Sequence, residues 1–210
     1  MDSTIPSALD LLWRRKASHS RPGKRREPFN LALVIEGGGM RGCVTAGMGA
    51  ALSRLRYINC FDQVIASSTG AMQAPFFLAN QAVAHAPVYA TDLATGRFIS
   101  AWRAFHSKRP IMDLDYLLNH IMVNIRPLAF SRIAQRGIPL YLAATIAGNG
   151  QRVLLDGFKD QDDLFKAMRA SALVPGVSGH EPVNMRGMNL IDGDFSAFLP
   201  EKLARENGAT

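Results

Sequence analysis

Cysteine is scarce: only Cys43 and Cys60 occur in 210 residues. Two thiols cannot build a disulfide framework or a cysteine zinc site, so an intracellular, reducing setting is expected. Aromatic residues make up 8% of the chain. That leaves little for a base-stacking platform, and no specific nucleic-acid partner is expected. No run approaches the roughly 20 apolar residues of a spanning helix. No secretory signal is expected either, because the short apolar patch at residues 8–13 comes before its basic cluster, not after it. Acidic residues are outnumbered, 17 against 24 basic, for a net charge of +7. Residues 1–28 carry seven basic and three acidic side chains and hold most of that excess. With no periodic apolar face, this segment reads as a flexible basic tail able to touch anionic membrane, ahead of a domain over residues 29–210.

What is present is an ordinary globular composition, 48% hydrophobic and 20% charged. Residues 30–36 form a near-continuous apolar run, as in strands buried on both faces of a parallel sheet. A glycine-rich turn and a helix lined with small residues, 43–55, follow at once. Residues 61–67 repeat the pattern as a second strand, a Ser-Thr-Gly turn and a helix over 71–84 interrupted at Pro75. Two strand–turn–helix units predict an α/β fold with a parallel sheet. Residues 88–136 read as helical and irregular, with a helix starting at Asp113. Strands are predicted at 138–146, 152–155 and 188–191, and a helix at 162–171.

Three motifs carry chemistry. Gly37-Gly38-Gly39-Met40-Arg41-Gly42 fits G-x-G-x-x-G between a strand and a helix. A dinucleotide site would want an acidic residue closing the second strand, where Ser67-Ser68 stands instead. The same loop can present backbone N–H groups to a developing oxyanion, or serve only as a tight packing turn. Ala66-Ser67-Ser68-Thr69-Gly70 resembles the nucleophile elbow G-x-S-x-G with alanine first, and can equally be a polar helix cap. Asp192-Gly193-Asp194 ends the last strand, as either a turn or a carboxylate reaching another loop. None of the five histidines lies beyond Asp192, which favours a serine paired directly with a carboxylate, with His180 in the loop before Asp192 as the alternative partner.

The order Gly-Gly-Gly-x-Arg-Gly, serine elbow, Asp-Gly resembles the patatin-like phospholipases. Residues 166–176 are similar to the family's segment before the aspartate, and Ile111-Met-Asp-Leu-Asp-Tyr-Leu is similar to a bacterial branch. The resemblance covers about residues 31–200. It implies a three-layer α/β/α sandwich with a mainly parallel central sheet. It also implies a Ser68–Asp192 dyad in which Ser68 is nucleophile and Asp192 proton acceptor. The oxyanion hole would lie in Gly37–Gly42, with N–H groups from Gly38, Gly39 and Met40 and with Arg41 steadying the loop. The implied reaction is hydrolysis of lipid acyl esters through an acyl-serine, with no metal or cofactor. Ala66 and Asp194 depart from the family pattern, which has glycine at the first position and glycine or alanine at the second. The chain also ends before the family's usual last elements and reads as a shortened member. These departures motivate an alternative, a catalytically weak relative that binds lipid or acyl groups in a regulatory role.

Overall fold

The computed structural model describes residues 6–106, 109–196 and 200–210. The sheet strands are β1 (Ala32–Ile35), β2 (Gln63–Ser67), β3 (Leu140–Ile146), β4 (Arg152–Leu155), β5 (Val183–Met185) and β6 (Met188–Asp192). The helices are α1 (Ala8–Ala17), α2 (Gly42–Arg54), α3 (Thr69–Leu78), α4 (Ala82–His85), α5 (Val88–Thr91), α6 (Arg103–His106), α7 (Phe130–Arg136), α8 (Gln161–Ala172) and α9 (Pro200–Glu206). A wide-turn π-helix, Tyr116–Ile125, stands between α6 and α7. Asp113 Oδ1 accepts the N–H of Tyr116 at its start. Among the described residues no helix is long and apolar enough to cross a membrane.

β1, β2 and β3 are parallel, and β4, β6 and β5 are antiparallel additions. Side chains alternate between the faces of the parallel strands. Ile35, Val64, Ala66, Leu140, Leu142 and Ala144 belong to the main core with α3 and α8. Ile65 and Ala143 face the other way and pack with Leu203 and Ala204 of α9. Both sides are therefore apolar, which is why these strands read as continuous hydrophobic runs. The arrangement is α/β with a mainly parallel centre flanked by helices, as the resemblance implies.

The register fixes a less obvious feature. Ala143 pairs with Ser67 of β2 and Leu154 of β4, so those two strands lie on opposite edges of β3. Ala144 pairs with Val153 of β4 and Asp192 of β6, so these also lie on opposite edges. It follows that β2 and β6 share one edge of β3. They run toward each other along it, and their C-terminal ends meet. This juxtaposition brings Ser68 and Asp192 together.

Two predicted elements are corrected. The helix after β2 runs through Pro75 and breaks instead at Asn80, which has a φ of 58°. The second correction concerns residues 1–28, read as a flexible arm. Residues 1–5 lie outside the described residues; most side chains of the rest are exposed, but the segment is anchored at a few points. Ser7 caps α1 by accepting the N–H of Asp10 at 3.1 Å. Leu11 and Arg15 are buried. The Arg15 guanidinium pairs with Glu27 at 2.6 Å and Asp62 at 2.5 Å and donates to the carbonyls of Cys60 and Phe29. Arg25 binds Asp62 from the other side at 2.8 Å. Ion pairs dock this segment alongside Leu11, and hydrophobic periodicity does not reveal ion pairs.

Removing one partner of a buried ion pair strands the others. Arg15→Ala is expected to lower stability by roughly 3 kcal/mol, the low end for such a loss because Glu27 and Asp62 keep some contact with solvent. Exposed Arg14→Ala should change it by about 0.5 kcal/mol or less. Urea unfolding of the two variants measures the difference.

Candidate active site

Ser68 follows β2 and caps α3 in a conformation non-glycine residues rarely adopt, φ 52° and ψ −124°. Such a residue costs on the order of 1–3 kcal/mol and persists only where its surroundings over-determine it. Here the N–H of Ser68 is shared between the carbonyl and the hydroxyl of Ser171, at 3.0 and 3.1 Å. The Ser171 hydroxyl in turn donates to the Ala143 carbonyl at 2.6 Å. Ala66, by contrast, has an ordinary negative φ and is fully buried. The position of the elbow's missing glycine is thus compatible with alanine. Gly70 shows the close approach that demands glycine, since a Cβ there would strike the Ile35 carbonyl.

Ser68 Oγ donates to Asp192 Oδ2 at 2.6 Å. The other carboxylate oxygen accepts the N–H of Asp194 at 2.8 Å. Beside this pair stands a second one, in which Ser67 Oγ donates to Asp194 Oδ1 at 2.6 Å. The Asp194 carboxylate also occupies the space a side chain on Gly37 would need. It therefore joins the end of β2 to the turn after β6 and lies against the loop that follows β1.

Both Ser68 and Asp192 open on a cavity of about 370 Å³. Its walls are mainly apolar, with Met72, Phe98, Leu117 and Met122 among them. Of the glycine-rich loop, Gly38, Gly39 and Met40 line this cavity. They open a short 3-10 turn that runs into α2, and the first N–H groups of a helix have no intrahelical acceptor. Gly38 takes a φ of 136°, which only glycine adopts freely. Gly37, Arg41 and Gly42 are not part of the cavity wall. Arg41 is exposed, its Nε 3.5 Å from the Cβ position of Gly38. Gly42 packs behind the loop, where its carbonyl accepts from Gln73 at 2.9 Å. Thr69, Gln73 and Tyr89 form a buried hydrogen-bonded cluster there. Among the described residues no group of His, Cys, Asp and Glu is placed to hold a metal ion.

Sequence reading missed Ser171, the Ser67–Asp194 pair, Tyr89 and His85. His85 lines the cavity and stacks on Phe76 at 3.7 Å between ring centres. Burial, aided by Arg126, pushes its pKa down to about 3, so the ring is neutral. Ser67 and Asp194 stand in separate motifs, and only the fold pairs them and gathers Ser171, Tyr89 and His85 around Ser68.

A strand–glycine-loop–helix followed by a serine turn, with an aspartate brought to that serine by an antiparallel strand, defines a type of α/β protein. The chain belongs to the patatin-like phospholipase family, which residues 33–205 match. It is also similar to the Escherichia coli (strain K12) protein YjjU, which is described as uncharacterized. The two are 27% identical over 195 residues, covering 87% of this chain and 50% of YjjU. The chain thus spans about half the length of the curated relative it matches.

Burial raises the Asp192 pKa from 3.8 to about 6. The hydrogen bonds from Ser68 and the Asp194 N–H oppose that rise, and the Asp194 charge adds to it. Between pH about 4 and about 6 the folded chain therefore holds a proton that the unfolded chain has released. Stability falls as pH rises through this window and stays lowered above it. Asp192→Asn carries no such penalty. At pH 8 it is expected to be more stable than wild type by on the order of 1–3 kcal/mol, and the difference should vanish below pH about 4. Urea unfolding across that pH range provides the measurement.

Proposed function

We propose that this chain is a serine acyl hydrolase that cleaves carboxylic esters of lipids, phospholipid or acylglycerol, through an acyl-serine intermediate. The observation that carries the reading is the 2.6 Å contact between Ser68 Oγ and Asp192 Oδ2 at the wall of an apolar cavity. Ser68 attacks the ester carbonyl carbon while its proton passes to Asp192. The N–H groups of Gly38, Gly39 and Met40 receive the developing oxyanion. Collapse breaks the ester C–O bond, and the departing alcohol takes the proton from Asp192. A water molecule then attacks the acyl-serine, gives a proton to Asp192 and releases the fatty acid. That proton returns to Ser68.

A carboxylate is an intrinsically weak base for a serine hydroxyl. Two features of the site offset this. The raised pKa of Asp192 makes it a stronger proton acceptor. The positive φ of Ser68 holds the hydroxyl where both carboxylate and substrate can reach it. The alternative, a weak member that binds lipid or acyl groups in a regulatory role, draws on the carboxylate of Asp194 beside Asp192. In the hydrolase reading that carboxylate is engaged by Ser67, and its charge contributes to the raised pKa.

Hydrolysis of short- and long-chain p-nitrophenyl esters tests the reading. Ser68→Ala and Asp192→Asn are each expected to lower kcat/KM by about a thousandfold or more. Equal rates for wild type and Ser68→Ala would sink the proposal. Because Asp192 must be ionised to accept a proton, kcat/KM should fall about tenfold per pH unit below pH about 6. Asp194→Asn removes a like charge and should move that acid limb to lower pH.

A further inference from the structure

We infer that the Thr69 hydroxyl is a further substrate-touching group of this site, donating a hydrogen bond to the carbonyl oxygen of the bound ester and to the oxyanion it becomes. It rests on the acyl-hydrolase reading, since it adds one donor to that same reaction. Thr69 follows Ser68 directly, opens α3 and lines the cavity. Its hydroxyl stands 2.8 Å from that of Tyr89, which lines the cavity too. Distance alone does not say which oxygen donates. The neighbouring groups do.

Gln73 lies one turn further along α3. Its side-chain Nε2 is 2.9 Å from the Gly42 carbonyl and 2.7 Å from the Tyr89 hydroxyl. A carbonyl oxygen only accepts, so Gln73 must present its NH2 group there and not its oxygen. Both amide hydrogens are then used, one on Gly42 and one on the Tyr89 oxygen. Burial pushes the Tyr89 phenol up, so it keeps its own proton. A phenol is the more acidic hydroxyl and an alcohol the better acceptor, so that proton goes to Thr69 Oγ1. Thr69 accepts it and still carries a hydrogen of its own. The described residues offer that hydrogen no second acceptor. The chain of donors therefore runs one way: Gln73 to Tyr89, Tyr89 to Thr69, and Thr69 into the cavity. A buried polar cluster kept for packing alone satisfies itself. This one ends in a spare donor next to the nucleophile.

Placement puts that donor on the oxyanion side. A Cβ on Gly42 would come within 2.6 Å of the Tyr89 hydroxyl, 2.7 Å of Thr69 Oγ1 and 2.8 Å of Gln73 Nε2. Gly42 is thus bare where the cluster packs. It also begins α2, directly after the turn whose Gly38, Gly39 and Met40 line the cavity. The cluster braces the glycine-rich loop against the helix that Ser68 caps, and the Thr69 hydroxyl stands at the seam between them. In the proposed reaction the ester oxygen turns toward that loop as Ser68 attacks. A side-chain hydroxyl there supplements the backbone N–H groups, and its charge-stabilising effect is largest when the oxygen becomes negative.

The test uses the full chain and p-nitrophenyl decanoate. Thr69→Val keeps the shape and removes the hydroxyl; it is expected to lower kcat by about a hundredfold with little change in KM. Thr69→Ser restores the hydroxyl and should stay within about threefold of wild type. Tyr89→Phe should cost about tenfold in kcat alone and nothing further in the Thr69→Val background, because Tyr89 acts through Thr69. A merely structural Tyr89 would cost the same in both backgrounds. A second measurement needs no turnover. Methyl decanoate labelled at its carbonyl carbon is bound to the Ser68→Ala chain, with and without Thr69→Val, and its carbonyl stretch is read by difference infrared spectroscopy. The stretch should lie at lower wavenumber with Thr69 than with valine, and a bound ester in both reports an intact cavity. Wild-type kcat in Thr69→Val, Thr69→Ser as slow as Thr69→Val, or a carbonyl stretch that ignores the substitution would each overturn the inference. If Ser68→Ala is inactive while Thr69→Val is as fast as wild type, the inference falls and the hydrolase reading stands. If Ser68→Ala hydrolyses as fast as wild type while the stretch still follows Thr69, the donor stands and the hydrolase reading falls. No bound ester in any variant would overturn both.

Discussion

Two strands meeting end to end along one edge of β3 are the constraint on which the rest of the site depends. β2 arrives parallel to β3 and β6 antiparallel, and the pairs Ala143–Ser67 and Ala144–Asp192 stand next to each other. A slip of one residue in either register would turn Ser67 and Asp192 to the wrong faces. The packing guards against this. Ser171, at the end of α8, bonds both to the Ala143 carbonyl and to the strained Ser68 backbone, so the helix that covers the core also sets the turn. Thr145 holds the Asp192 carbonyl from β3 at 2.8 Å.

Strain and burial at this junction work against stability and, in the proposed reaction, toward chemistry. Ser68 occupies an unfavourable backbone region, and Asp192 is 1% exposed with its charge poorly solvated. Both conditions are held in place by hydrogen bonds from neighbours that would otherwise be ordinary core polar groups. Asp194 adds to the tension, because its backbone N–H stabilises the Asp192 carboxylate while its own charge opposes it. Such opposition is common where a group is kept for its reactivity.

The two ends of the sheet are chemically distinct. At the strand starts, buried Arg15 and part-buried Arg25 neutralise Asp62 and dock the N-terminal segment. At the strand ends, an apolar cavity opens beside Ser68, with the exposed ring of Phe195 in its wall. The net charge of +7 therefore says little about function as a single number. Several of its cations are structural, Arg15 and Arg25 among them.

Sequence alone determined the parts that local physics encodes. Apolar runs buried on both faces marked β1, β2 and β3, and glycine-rich and serine turns marked the ends of the first two. The helix predicted at 162–171 was legible from its apolar face, whereas its Asp160 cap was not. The family was legible because its motifs keep their order along the chain. Only the tertiary structure decided that Asp192 reaches Ser68, since a hydrogen bond between residues 124 positions apart depends on which edge of β3 each strand takes. No local periodicity carries that choice. The same holds for Ser171 and for the Ser67–Asp194 pair, whose members have no shared motif. It holds too for Arg15, which resembles a solvated charge until Asp62 and Glu27 close around it. Hydrophobic patterning records which side chains leave water, whereas these groups are buried by partners far along the chain.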